Sequence, residues 1–233
     1  KKQLVDDVEA WFGKVNIGRT QKGVAVSLGR SLESPGKMEL AVDAYSRFGA
    51  LFKKNDDPKI MSFGEKLEGA ARRVQLPGNP IEIDGMTLDG KKFDWSEYKG
   101  KVVLVDFWAT WCGPCIRELP NVKKNYDLYH DRGFDVVGIS IDTSPEKVKA
   151  FAKKHETSWT TLYSRDPESS GPNHPLAVRY GVTGIPTVIL VNQEGNVVSL
   201  NARGPELGRL LEKLLGPADA AGEKTSRKST KLD

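Results

Sequence analysis

Residues 102–115, VVLVDFWATWCGPC, decide the fold. The run from Val102 to Trp108 is almost continuously apolar, which is typical of a strand buried on both faces of a sheet. A helix is predicted from about Pro114 to residue 130, and a second strand over residues 134–141. This strand–helix–strand alternation predicts an α/β domain with right-handed crossovers and some parallel strands.

Further strands and helices are predicted before and after residues 102–141. Upstream, residues 81–93 predict a short hairpin, and residues 94–98 predict one helical turn. Downstream, the sequence predicts helices over 145–155, 176–180 and 206–215, a hairpin pairing 187–191 with 197–201, and a loop over 164–175. The resulting prediction is a mixed sheet flanked by helices, within a domain spanning residues 77–216.

Residues 1–76 form a separate helical region with no cluster typical of catalysis. Apolar side chains recur at three- and four-residue steps, which predicts three amphipathic helices, with a glycine-dotted stretch from Gly18 to Gly36 as an interruption. Trp11 and Phe48 are expected in its core. Residues 217–233 are polar and lack large apolar side chains except Leu232, so a disordered tail is predicted there.

Composition excludes several classes of protein. The net charge of +4 comes without a stripe of basic and aromatic residues, so nucleic-acid binding is not expected. No apolar run approaches the ~18 residues of a membrane span. The two cysteines are too few for a disulfide framework or a zinc site, so no metal is expected. Lys1 is compatible with an N-terminal signal or anchor that has been removed.

Cys112 and Cys115 are the candidate reactive groups because they lie between a buried strand and a helix. The free N–H groups and dipole of a helix N-terminus favour an anion, which predicts a lowered pKa and a larger thiolate fraction for Cys112. Cys115, one turn later, is placed to resolve a mixed disulfide. Pro114 suits the first helical turn, and Gly113 leaves the sulfur uncovered. An inert disulfide is the alternative, although so short a loop adds little stability.

The stretch from Val105 to Cys115, followed by Pro120 and by Gly-Ile-Pro-Thr at 184–187, resembles the thioredoxin superfamily. The added upstream segments and the sequence CGPCIRELP at 112–120 resemble the bacterial TlpA/ResA-like thiol–disulfide oxidoreductases. This resemblance covers residues 77–216. It implies a cis peptide before Pro186 beside the sulfurs, substrate pairing to the backbone of Ile185, and a substrate-docking role for Trp111, for which simple packing is the alternative. It also implies a periplasmic or other extracytoplasmic location.

Two acidic residues are candidates for moving protons. Asp106 lies in the apolar strand, and the resemblance favours a buried carboxyl that accepts the Cys115 proton, whereas strand alternation alone allows a solvent-facing side chain. Glu118 follows Cys115 by three residues on nearly the same helix face. The ResA-like resemblance implies that Glu118 handles a proton near the sulfurs, and an ordinary solvated position is the alternative. The histidines are expected at the surface, and among them only His174 is a candidate for substrate contact.

The leading hypothesis is a dithiol–disulfide oxidoreductase in which Cys112 attacks and Cys115 resolves. The reaction needs no cofactor beyond this redox-active pair, and the implied partners are protein disulfides and an upstream thiol reductant. Gly113-Pro114 resembles the reducing pair of thioredoxin, so a potential nearer ~−270 mV than ~−120 mV is expected. A thiol peroxidase and a redox-inert scaffold or binding protein are the alternatives.

Overall fold

A computed structural model describes residues 2–218, and these contain eight α-helices and five strands. The N-terminal helices are α1 (Lys2–Phe12), α2 (Arg19–Leu32), α3 (Met38–Lys53) and α4 (Pro58–Val74), which together we call the helical bundle. The later elements are β1 (Val102–Trp108), α5 (Gly113–Tyr129), β2 (Phe134–Ser140), α6 (Pro145–His155), β3 (Thr160–Tyr163), α7 (Pro175–Arg179), β4 (Thr187–Val191), β5 (Val197–Ser199) and α8 (Pro205–Leu215). Within the described residues, no helix is both long and apolar enough to cross a bilayer.

The five strands form one mixed sheet in the order β3-β2-β1-β4-β5. β1 and β3 both run parallel to β2, while β4 is antiparallel to β1 and β5 is antiparallel to β4. The predicted mixed α/β sheet with flanking helices and a helical N-terminal region is therefore confirmed. Strand β1 is the central strand of the sheet. The loop that follows β1 therefore lies midway across the end of the sheet where β1 and β2 have their carboxyl ends.

Alternating side chains of β1 enter two apolar cores on opposite faces of the sheet. Val103 and Val105 pack in the core that contains Tyr98 from the 3-10 turn Trp95–Tyr98 and Leu176 from α7. On the other face, the residues that pack together come from β1, α5 and α8, namely Val102, Leu104, Val122, Leu207 and Leu211. These cores fix α5, which Cys112 caps and which contains Cys115, against the central strand.

The helical bundle has its own core and differs from the predicted three helices. The glycine-dotted stretch is mostly helical, since α2 runs through it. A Cβ on Gly29 would lie 2.2 Å from the ring of Tyr45, so this glycine serves close packing instead of ending the helix. Phe48 is fully buried as expected, but Trp11 is 37% exposed because the adjacent Phe12 takes the core position.

Other local predictions need correction. Ile81 and Ile83 are buried but lie in no strand, and one bridge between Met86 and Lys92 takes the place of the expected hairpin. The loop over 164–175 contains two short 3-10 turns, Pro167–Ser169 and Gly171–Asn173. Strand β3 was not predicted. The tail predicted for 217–233 lies, from residue 219 onward, outside the described residues.

The helical bundle packs closely on the sheet region through α4 and α7. A Cβ on Gly69 would lie 2.2 Å from the carbonyl oxygen of Val178, and a Cβ on Gly181 would lie 1.9 Å from the backbone nitrogen of Ala70. The guanidinium of Arg72 also donates to the carbonyl of Arg179, at 3.1 Å. Two backbones therefore meet with no side chain between them at this point, which we call the glycine contact.

Candidate active site

The two cysteines form a disulfide at the start of α5, with an S–S distance of 2.07 Å. Cys112 is the residue that caps this helix, and the backbone N–H of Cys115 donates to its sulfur at 3.2 Å. Pro114 occupies the first turn, where no backbone hydrogen bond is lost. The sulfur of Cys112 therefore lies where the helix dipole and the free N–H groups stabilise negative charge.

The loop between β1 and α5 is held by Asp142, a residue that sequence reasoning missed. Its carboxylate accepts hydrogen bonds from the backbone N–H of Thr110 at 3.0 Å and from the Thr110 hydroxyl at 2.6 Å. The hydroxyl of Ser140 donates to the same carboxylate at 2.9 Å, and Asp142 is 2% exposed. The carboxyl end of β2 thus fixes the segment that leads into Cys112.

Asp106 is the strongest titratable candidate beside the disulfide. Its Oδ1 is buried and has no hydrogen-bond partner among the described residues. Burial, followed by the negative charge of Glu118, raises the pKa of Asp106 to about 7, and the positive charge of Arg203 opposes this rise. The buried Oδ1 favours an inward-facing side chain over the solvent-facing alternative for Asp106.

A small cavity of about 20 Å³ lies beside the Asp106 carboxyl. Asp106 and Cys115 both line it, and Trp108 and Trp159 form part of its wall. A cavity needs roughly 10–15 Å³ of this kind of volume to hold one water molecule, so this space has room for a single water.

Glu118 is half-buried and is tied to the start of α8. Its Oε1 accepts from the backbone N–H of Gly204 at 2.7 Å and from the side-chain amide of Asn121 at 2.7 Å. Glu118 is therefore not an ordinary solvated side chain. Its carboxylate links α5 to the residue before α8, and its negative charge adds to the effect of burial on the pKa of Asp106.

The residues expected to dock substrate either flank the cysteines in sequence or pack against the same core. Trp111 is 64% exposed, and the peptide bond between Ile185 and Pro186 is cis, as the resemblance implied. Ile185 packs against the core that includes both cysteines. Within residues 2–218 its backbone N–H and carbonyl form no hydrogen bond, so both are free for a partner strand. Gly113 is half-buried, and a Cβ there would contact only Arg117, at 3.5 Å.

His174 lies away from this group of residues and is not at the surface. It is 4% exposed, and its Nδ1 accepts from the backbone N–H of Leu176, which caps α7. Burial lowers the pKa of His174 to about 4, so the ring is neutral at physiological pH. It does not line the cavity that Asp106 and Cys115 share. Within residues 2–218, no cluster of three or more His, Cys, Asp or Glu side chains is arranged to hold a metal ion.

Comparison with solved structures defines the class of protein. The thioredoxin domain of a thiol-disulfide oxidoreductase from Bacteroides vulgatus matches with a TM-score of 0.54 and 31% identity, covering 60% of this chain and 97% of that one. The solution structure of a thiol:disulfide interchange protein from Bacteroides sp. matches with a TM-score of 0.53 and 30% identity, covering 64% and 96%. Together with the cysteine pair, these matches define a thioredoxin-like thiol–disulfide oxidoreductase.

The family follows from the sequence comparisons. The Redoxin family model matches residues 72–209. The thiol-disulfide oxidoreductase ResA of Bacillus thuringiensis subsp. konkukian is 30% identical over 128 residues, which is 55% of this chain and 69% of that relative. ResA of Bacillus subtilis (strain 168) is 30% identical over 112 residues, which is 48% and 59%. This chain belongs to the Redoxin family, as a TlpA/ResA-like member of the thioredoxin superfamily.

Proposed function

We propose that this enzyme reduces protein disulfides through Cys112 and Cys115. The Cys112 thiolate attacks one sulfur of a substrate disulfide, which forms a mixed disulfide and releases the first substrate thiolate. Cys115 loses its proton and attacks the sulfur of Cys112, which releases the second substrate thiolate. Two electrons pass to the substrate, and the pair is left as the disulfide that the structure contains.

The position of Cys112 as helix cap is the observation that carries this proposal. Its sulfur accepts the N–H of Cys115 and lies at the positive end of α5, both of which favour the thiolate that exchange requires. Cys115 lies inside the first turn and lines the small cavity with Asp106. The first cysteine is therefore suited to attack and the second to resolution.

Asp106 is the proposed proton acceptor for Cys115. A carboxyl with a pKa of about 7 is partly ionised at neutral pH and can both take and return a proton. The cavity that it shares with Cys115 has room for one water to relay that proton. Glu118 is proposed as a positioning residue, because its carboxylate is already engaged by Gly204 and Asn121.

Substrate docking is proposed at the face that holds Trp111 and Ile185. An extended substrate segment would pair with the free backbone groups of Ile185, as in strand addition. The exposed indole of Trp111 and the exposed ring of Pro114 would cover the apolar part of the substrate. Gly113 keeps the approach to the sulfur open.

The reaction uses only the cysteine pair, so the proposal requires no cofactor or metal. An upstream thiol reductant must return two electrons to the disulfide after each turnover. Protein disulfides form and persist outside the cytoplasm, so the proposal places the enzyme in an extracytoplasmic compartment such as the periplasm.

Single-cysteine variants test the proposal directly, because the chain has only two cysteines. Cys112→Ser is expected to abolish the enzyme's acceleration of insulin reduction by a small dithiol, leaving the rate of the dithiol alone. Cys115→Ser is expected to accumulate a mixed disulfide with substrate at Cys112, identified by mass spectrometry after cysteine alkylation. Reduction by Cys112→Ser that is faster than reduction by the dithiol alone would contradict the proposal. Rapid peroxide consumption by the unmodified enzyme would indicate a thiol peroxidase instead.

A further inference from the structure

A polar cleft of about 340 Å³ lies beside the cis proline, between the helical bundle and the sheet region. The backbone from Gly184 to Val188 forms one side, and Arg203 lies next to it. The helical bundle forms the other side. It contributes Arg30 from α2, Glu33 from the C-cap of α2, and Arg73 from α4. Residues outside the thioredoxin-like region therefore reach the surface where substrate is proposed to bind.

The charges of this cleft do not cancel. Arg73 and Glu33 form a half-buried ion pair at 2.8 Å, and the hydroxyl of Tyr45 also donates to Glu33 at 2.6 Å. Arg30 and Arg203 remain, both exposed, and within residues 2–218 neither guanidinium forms a salt bridge. The cleft wall thus carries one neutralised pair and two further positive charges.

Arg30 is held close to the backbone that leads into the cis peptide. Its Nη2 donates to the hydroxyl of Thr183 at 3.2 Å. The same nitrogen lies 2.9 Å from the point where a Cβ of Gly184 would be, so the missing side chain leaves room for the guanidinium. This places a positive charge one residue before Ile185, the residue proposed to pair with substrate.

Arg203 supplies positive charge on the other side of the proline. Its Nη1 donates to the carbonyl oxygen of Pro186 at 3.4 Å, and its Nε donates to the side chain of Asn201 at 3.2 Å. A segment that extends along Ile185 therefore runs between two guanidinium groups. A carboxylate in such a segment can form charge-assisted hydrogen bonds with either one.

We propose that Arg30 and Arg203 select substrates that carry Asp or Glu residues next to the reacting cysteine. The inference rests on the proposed reductase function and adds to it a class of substrate, an acidic segment of a disulfide-bonded protein. It also gives the helical bundle a role, since α2 delivers Arg30 to the substrate cleft.

Two disulfide-linked peptides that differ only in Glu or Gln beside the cysteine test this selection in the full chain. The enzyme is expected to reduce the Glu peptide with a kcat/KM about threefold to fivefold higher at low salt, the range of one or two exposed ion pairs. The difference should vanish near 1 M salt, where the screening length falls to about 3 Å.

Arg30→Glu is the decisive variant, and Arg19→Glu is its matched control. Both residues are exposed on α2, but Arg19 lies eleven residues earlier, about 16 Å along the helix axis. Arg30→Glu is expected to abolish the preference between the two peptides, because the introduced carboxylate would offset the charge of Arg203, and Arg19→Glu is expected to keep it. Arg203 is left intact, because its charge also lowers the pKa of Asp106. Thermal unfolding of each variant shows whether the fold is retained.

The outcomes separate this inference from the proposed function. Equal reduction of both peptides, unchanged by Arg30→Glu, would overturn the inference and leave the reductase function standing. An equal fall for both peptides in Arg30→Glu would also overturn it, since Arg30 would then be structural. Failure to reduce either peptide would overturn the inference together with the proposed function.

Discussion

Replacing Asp106 by Asn is expected to change how stability depends on pH. The pKa of Asp106 is about 7 in the folded chain, against an ordinary value of 3.8. An acid whose pKa is higher in the folded state than in the unfolded state destabilises the fold when it is ionised. The penalty is nearly absent below pH 4, grows as the pH rises toward 7, and stays constant above that.

The size of this penalty follows from the two pKa values. A tenfold change in an ionisation constant corresponds to 1.36 kcal/mol, so the rise from 3.8 to about 7 corresponds to about 4 kcal/mol at alkaline pH. The stability of Asp106→Asn relative to the unmodified enzyme should therefore increase by roughly 3 to 4 kcal/mol between about pH 4 and about pH 8.

Urea unfolding of the oxidised protein across this pH range measures the effect. The absolute stability of Asp106→Asn is not the test, because the new amide also lies at a buried position without a partner for Oδ1. Asp106→Ala is the matched control, since it removes the same ionisation with a different packing change. Both variants should lose the same pH dependence. Parallel stability curves for the unmodified enzyme and both variants would refute the assigned burial of this carboxyl.

Three further predictions concern the glycine contact, the cleft and the docking face. Gly181→Ala is expected to destabilise the fold by about 1–3 kcal/mol in urea unfolding, because the new Cβ overlaps α4 and φ at this residue is +56°. Gly23→Ala is the control, since Gly23 lies on α2 with open space around it, and this change should stabilise the fold by about 0.5–1 kcal/mol. Burial favours a raised pKa for Glu33, but hydrogen bonds and charge from Arg73 outweigh it and lower the pKa. Glu33→Gln should therefore destabilise by about 1–3 kcal/mol at pH 7, with a difference that shrinks as the pH falls below 4.5; a constant difference would contradict this. Trp111→Ala is expected to raise the KM for a protein disulfide about tenfold and to leave the KM for a small disulfide unchanged. An equal rise in both KM values would argue against a docking role.

The sequence predicts the centre of the fold because local and long-range signals agree there. The apolar run of β1 indicates a buried strand, and the Cys-Gly-Pro-Cys sequence indicates the start of a helix. The two signals agree, because this motif is expected between a buried strand and a helix. Strand β3 has only four residues and no clear alternation, and it forms because β2 offers it a parallel edge. Helix α2 was missed because its glycines indicate a break, whereas Gly29 is required by the ring of Tyr45.

The same distinction applies to the candidate site. Cys112, Cys115 and Pro114 form a contiguous motif, so their arrangement follows from local geometry. Asp142 acts on the loop before Cys112 from the end of a different strand, and Arg30 reaches Thr183 across 153 positions of sequence. No local pattern marks such contacts, since they depend on how the helical bundle meets the sheet region.

The segment that joins the helical bundle to the sheet region is itself part of the sheet edge. The N–H of Gly78 donates to the carbonyl of Val197 at 2.9 Å, and the N–H of Val197 donates to the carbonyl of Asn79 at 2.9 Å. With the glycine contact, this gives the bundle two separate points of attachment, so the connection does not act as a hinge. A single proteolytic cut between the two parts would leave them associated as a noncovalent complex, and the two purified fragments would be expected to reassemble.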